Sequence, residues 1–256
     1  MMELLRWRGR SRRLFAELKA HFGQGDLTQL SIATREFPQR VRADLQRVME
    51  SLFEPPDHVR KFLSVRQEQN YAEITFSGLL SPGWMPPAVI SPPEYEEIDI
   101  GEDRPVRCLK AGLWLAERNG APYAVLMSPA GHHGMVTGIS FQIATAGNEA
   151  SADIAESTFR KLESGVQQGR CYRGKVLSLE MQHSYTGQST GIKVHKLPPV
   201  NRDQVVLSDK TLTLLDRNIV QFVQRRAQLA SLGQATRKGI LFYGPPGTGK
   251  TYTIRC

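Results

Sequence analysis

The sequence predicts a mixed α/β chain in two parts. The first is an α+β region over roughly the first 197 residues; the second is the opening helix, strand and phosphate-binding loop of an α/β domain left incomplete. Three observations predict it. Short β-branched and apolar runs crowd between residues 94 and 197, with one long helical stretch among them. A capped amphipathic helix follows a proline-bearing connector. The end of the chain, GILFYGPPGTGKTYTIRC, places a glycine-rich loop between an apolar run and a helical start.

Residues 1–68 read as a helical N-terminal segment. LLRWRGRSRRLFAELKAHF sets Leu4, Leu5, Leu14, Phe15, Leu18 and Phe22 among arginines. VRADLQRVMESLF places Val41, Leu45, Val48, Met49, Leu52 and Phe53 at helical spacing, and Pro55 and Pro56 stop it. The arginines of residues 6–13 could meet an anionic surface; a solvated polar face on a packed helix is the simpler reading. Residues 69–93, rich in Pro, Gly and Ser, read as a linker.

Residues 94–197 form the predicted α+β recognition domain. YEEIDIG, VRCLKAGLWLAE, PYAVLMSPA and GISFQIATA are strand-like, NEASADIAESTFRKLESGVQQG is a helix with Ile154, Phe159 and Leu162 inward, and CYRGKVLSLE and TGIKVHKL are two further strands. From 198 the text changes. PPVNRDQVVLSD is an extended connector, and Ser208 or Asp209 caps a helix whose Leu212, Leu215, Ile219, Phe222, Val223 and Leu229 share one stripe, ended by Gly233. ILFY is then expected as a buried strand that delivers the chain into the loop.

Bulk properties narrow the class. At 256 residues, 40% hydrophobic and 23% charged, the composition is that of a globular protein. No apolar run approaches membrane-spanning length. Arginines stand where a secretory signal needs apolar residues, and Glu3 and Glu17 count against an organelle transit segment, so a cytoplasmic location is expected. Cys108, Cys171 and Cys256 lack any paired spacing and are expected as reduced thiols. The net charge of +8 is distributed as +4 over 1–65, −2 over 66–200 and +6 over 201–256. With no aromatic-interleaved basic motif, nucleic acid is not the expected partner.

The chemistry concentrates in Gly244, Pro245, Pro246, Gly247, Thr248, Gly249, Lys250 and Thr251, which match Gly, four residues, then Gly-Lys-Thr. A triphosphate packs several negative charges together, and a tight concave loop can aim main-chain N–H groups at its oxygens. Gly247 and Gly249 let the backbone turn and approach. Pro245 and Pro246 fix φ and stiffen the loop. Lys250 would set its ammonium on the β and γ phosphates and Thr251 its hydroxyl on Mg²⁺, while the amides of Thr248 to Thr251 sit at a helix start whose dipole favours an anion. Elsewhere the signals are weak. His132 and His133 are adjacent without a third ligand and read as loop. Ser128, Ser140 and Ser157 lack a nucleophile motif. Met127 and Met135 read as filler, and the acidic end of IDIGED, 98–103, lies in the wrong part of the chain to serve the loop.

GILFYGPPGTGKT, preceded by SDKTLTLLDRNIVQFVQRRAQLASLG, resembles the opening of an AAA-family module, a P-loop NTPase. YRGKVLSLE and VHKLPPVNRDQVVLSDKTL resemble the run-in of bacterial members with an α+β N-terminal region. The resemblance implies ATP and Mg²⁺ as ligands, hydrolysis to ADP and phosphate, and a ring of six that remodels or unfolds an unidentified client chosen by the N-terminal region. It also implies an acidic strand end, a sensor and an arginine finger, none of which follows the loop here. The chain is therefore expected to be a truncated piece of such an ATPase, inactive alone, with 239–256 loosely held or docked on the preceding helix. The rival expectation is a non-catalytic interaction module carrying a vestigial loop.

Overall fold

The computed structural model describes residues 13–23, 26–67, 73–80, 88–132, 135–147, 149–179, 191–198 and 200–255. The chain divides between Lys196 and Leu197 into two compact units.

The first unit is built on a six-stranded antiparallel sheet. Its strands are β1 (Ser31–Pro38), β2 (Asp57–Arg66), β3 (Val89–Ile90), β6 (Gly112–Arg118), β7 (Ala121–His132) and β8 (Met135–Thr145), in the order β1-β8-β7-β6-β2-β3. Between β3 and β6 the chain forms a ribbon of β4 (Tyr95–Ile98) with β5 (Val106–Leu109); later β9 (Val176–Leu179) pairs with β10 (Ile192–His195). Alternation along the strands supplies two apolar faces. Tyr123, Val125, Met127, Ile139, Phe141 and Ile143 meet α2 (Arg42–Ser51) and α4 (Glu149–Gln167), which contribute Leu45, Met49, Ile154, Phe159 and Leu162. Leu63, Val65, Leu113, Leu115 and Leu126 meet Leu14 and Leu18 of α1 (13–22) and Phe76 and Leu79 of α3 (Phe76–Leu80). Each such side chain contributes about 1.5–3 kcal/mol when fully buried. The helices α2 and α4 meet closely because residue 165 is glycine; a Cβ there would overlap the Val48 side chain.

Two parts of the sequence reading change. Residues 1–68 are not one helical segment: 31–38 and 57–66 are strands of the main sheet, so the described residues of 13–66 share the unit of 94–196. β1 lies at the sheet edge with only Phe37 buried, and in β2 Arg60, Lys61 and Ser64 interrupt the apolar residues, so neither shows a long apolar run. Nor do the described parts of 69–93 behave as a linker. Ile74, Phe76, Leu79, Ala88 and Val89 are buried, and the segment is fastened to the sheet by Ser128, whose Oγ donates to Ile74 O (3.0 Å), and by Gln142, whose Oε1 accepts the Phe76 amide (2.8 Å).

A third, small core holds Ala43, Ile98, Ile100, Cys108 and Cys171. Both cysteines are buried free thiols, and burial pushes Cys108 up to about 11 and Cys171 up to about 12. Site-resolved alkylation at pH 8 is therefore expected to modify both at least about 100-fold more slowly in the folded chain than in denaturant. Comparable rates would show that this core opens readily.

In the second unit a helical run comprises α5 (Asp209–Leu215), a π-helical turn (Asp216–Val220), α6 (Gln221–Gln224) and α7 (Arg226–Ser231). Ser208 caps α5 by accepting the Thr211 amide. Of the predicted stripe, Leu212, Leu215, Ile219, Phe222 and Leu229 are half-buried and Val223 is exposed. The run Ile240–Tyr243, expected as a buried strand, forms no strand and has no strand partner among the described residues; Leu241 is 90% and Tyr243 97% exposed. A ladder needs a neighbour, and apolar content alone does not make one. No helix among the described residues is long and apolar enough to cross a membrane.

Candidate phosphate-binding loop

Residues 244–249 turn tightly into α8 (Lys250–Arg255). Gly247 and Gly249 have φ of 79° and 76°, the left-handed region, and the position a Cβ would take at either is open space. These two glycines are thus required by conformation and also leave the backbone approachable. Thr248 Oγ1 donates to Pro245 O (2.9 Å), closing the turn.

The Lys250 side chain curls back into the loop. Its Nζ donates to Gly244 O (2.8 Å) and Pro245 O (2.6 Å) and lies 3.2 Å from Thr248 Oγ1. The loop carbonyls thus hold an ammonium at its mouth, and an anion placed there would meet that charge directly. The first amides of a helix have no intrahelical acceptor. Two glycines at positive φ, the exposed Thr251 and the Lys250 ammonium thus lie together around the start of α8. α8 is fixed at its start by Thr253, whose amide and Oγ1 both bond Gly249 O.

One partner of α8 was not legible in the sequence. Tyr252 donates its hydroxyl to Gln204 Oε1 (3.3 Å), a contact between α8 and the connector. Gln204 also caps its own turn, accepting the Asn201 amide at 3.0 Å. Asp216, in the π-helical turn, accepts from Arg202 (3.2 Å) and Gln221 (2.9 Å), and these bonds hold its carboxyl below the usual range.

The remaining candidates are placed elsewhere. Ser128 and Ser140 are buried in the sheet, and Ser157 of α4 accepts from Arg118. Met127 belongs to the core. His132 ends β7, while His133 lies outside the described residues. No group of three His, Cys, Asp or Glu side chains among the described residues could hold a metal. In 98–103 two acidic groups are engaged within the first unit: Asp99 accepts the Gly101 amide, and Glu102 pairs with Lys175 and Arg47, which lower its carboxyl.

No protein-family model matches the chain. Over 64 residues, 25% of the chain, it is 41% identical to the 26S proteasome regulatory subunit 8 of Dictyostelium discoideum, and 38% identical to homologs A and B of that subunit in Arabidopsis thaliana. The chain spans 15–16% of the length of these relatives. Neither organism is bacterial, so these matches do not carry the bacterial character of the resemblance.

Proposed function

We propose that residues 244–251 bind Mg·ATP and that the chain is part of an AAA-type ATPase. The observation that carries this reading is the Lys250 ammonium gathered at the mouth of a loop whose glycines hold positive φ. Similarity to the 26S proteasome regulatory subunits supports the same family.

In this reading Lys250 exchanges the carbonyls of Gly244 and Pro245 for β and γ phosphate oxygens. The amides of Thr248 to Thr251 hold the remaining oxygens, Pro245 and Pro246 keep the loop stiff, and the Thr251 hydroxyl ligates the metal. Mg²⁺, when bound, bridges phosphate oxygens and offsets their charge. Hydrolysis to ADP and phosphate, a ring of six, remodelling of a protein client and a cytoplasmic location are proposed for the whole protein. The carboxylates of the second unit are Asp203, Asp209 and Asp216, of which Asp216 is taken by Arg202 and Gln221; none stands on a strand beside the loop. The chain itself is therefore expected to bind without turnover.

Displacement of a fluorescent ATP analogue tests the reading. ATP and ADP are expected to compete well and AMP poorly, because Lys250 is assigned to the β and γ phosphates, and phosphate release should not exceed the buffer rate. AMP competing as strongly as ATP would contradict the assignment. The rival reading, an interaction module with a vestigial loop, is favoured by one contrast: the first unit has three buried clusters, while none of the described residues of the second is buried.

A further inference from the structure

We infer that Tyr252 makes α8 a lever, through which occupancy of the loop tightens the connector turn Asn201–Gln204 ahead of the second unit's helices. The inference rests on the phosphate-binding reading and adds to it a path out of the site.

The geometry is local. Successive residues of a helix are turned by about 100°, so Tyr252, two positions after Lys250, stands about 200° away around α8. Lys250 faces the loop carbonyls while Tyr252 faces the connector. α8 has six residues, too few to be stable alone, so its orientation follows whatever grips its two sides. In the described state those grips are the carbonyls of Gly244 and Pro245 on one side and Gln204 on the other. Moving the ammonium onto an anion replaces the first grip and leaves the second to carry the change.

Gln204 is placed to receive it. Its Oε1 accepts both the Tyr252 hydroxyl and the Asn201 amide, so a firmer Tyr252 contact also fixes the side chain that closes the turn. The turn's backbone bonds, Gln204 N to Asn201 O and Val205 N to Arg202 O, are both 3.0 Å. Arg202, within the same turn, reaches Asp216 of the π-helical segment, which Gln221 also grips. Tyr252–Gln204 and Arg202–Asp216 are thus two polar contacts joined through the backbone of one short turn, linking the loop helix to the connector and the connector to the long helix. Such a link counts as coupling only if both ends respond together.

Amide hydrogen exchange of the full chain, with and without saturating Mg·ATP, reads that response. Exchange at Gln204 and Val205 is expected to slow by about five-fold or more on binding, the lower end of ordinary coupling between sites. Tyr252→Phe keeps the ring and removes the donor; it should retain binding, weakened by the factor lost at the connector, and abolish the slowing. Equal slowing in Tyr252→Phe and wild type overturns the lever, as does wild-type chain saturated in a parallel titration with no change at Gln204 or Val205. A titration that detects no binding overturns the phosphate-binding reading and the lever with it.

Discussion

Replacing Asp57 with alanine is expected to destabilise the first unit by about 3–5 kcal/mol, a large share of the roughly 5–15 kcal/mol available to a folded domain. Asp57 opens β2 with its carboxylate fully buried, and every lone-pair direction is used. Arg118 Nε (2.7 Å) and the Tyr123 hydroxyl (2.8 Å) donate to Oδ1; a second Arg118 nitrogen (3.0 Å) and Lys161 (2.9 Å) donate to Oδ2. Arg118 also donates to Ser157, tying β6 to α4. Removing the carboxylate strands the Arg118 guanidinium, whose side chain is 12% exposed, while Lys161, 41% exposed, can turn to water. The cost therefore comes mainly from Arg118. Tyr123→Phe removes one donor and keeps the packing, with an expected loss of about 0.5–1.5 kcal/mol. Chemical denaturation of the three chains checks the order. Asp57→Ala within 1 kcal/mol of wild type, on the order of a surface substitution, would show that the network adds nothing net.

The same group sets an acid limit. Burial pushes the Asp57 carboxyl up, but bonds from Arg118, Lys161 and Tyr123 outweigh it and leave the folded value below the ordinary one. A group depressed in the folded state stabilises fully above its unfolded value, about 3.9, and that stability fades as pH falls through the folded value. Wild type should thus lose stability below about pH 4 more steeply than Asp57→Asn. The Tyr123 hydroxyl, pushed up by burial and its bond to Asp57, stays protonated throughout.

The second large effect is on ligand affinity. Lys250→Ala is expected to weaken Mg·ATP binding by about 10- to 100-fold, the range for losing charge-assisted hydrogen bonds to an anion. The ammonium already lies among the loop carbonyls, so binding exchanges one set of acceptors for another without moving the loop far. The loop residues Pro245 to Gly249 are solvent-exposed, so the substitution should leave the unfolding curve unchanged. Parallel measurements of affinity and of thermal unfolding separate the two. Equal affinity with an unchanged curve would favour the interaction-module reading.

What was legible in the sequence was local. The loop is eight contiguous residues whose glycines and lysine declare their chemistry by spacing, and α4, β7 and β8 announce themselves by periodicity. β1 and β2 did not, because their strand character comes from pairing with β8 and β6, about a hundred and about fifty residues away, while their own side chains are mostly polar. The converse error was Ile240–Tyr243, apolar enough for a strand but with no described neighbour to complete a ladder. Asp57 was invisible for the same reason as β1: its partners are 61, 66 and 104 positions away, and nothing adjacent marks it. Tyr252 followed the loop motif at a position the motif leaves unspecified.

Calorimetric titration of the folded chain with millimolar Mg·ATP, using Lys250→Ala as the reference, tests the phosphate-binding assignment most directly. The account predicts a saturable heat for wild type and a much weaker isotherm for Lys250→Ala. Identical traces, or none for either chain while unfolding curves show both to be folded, would contradict it.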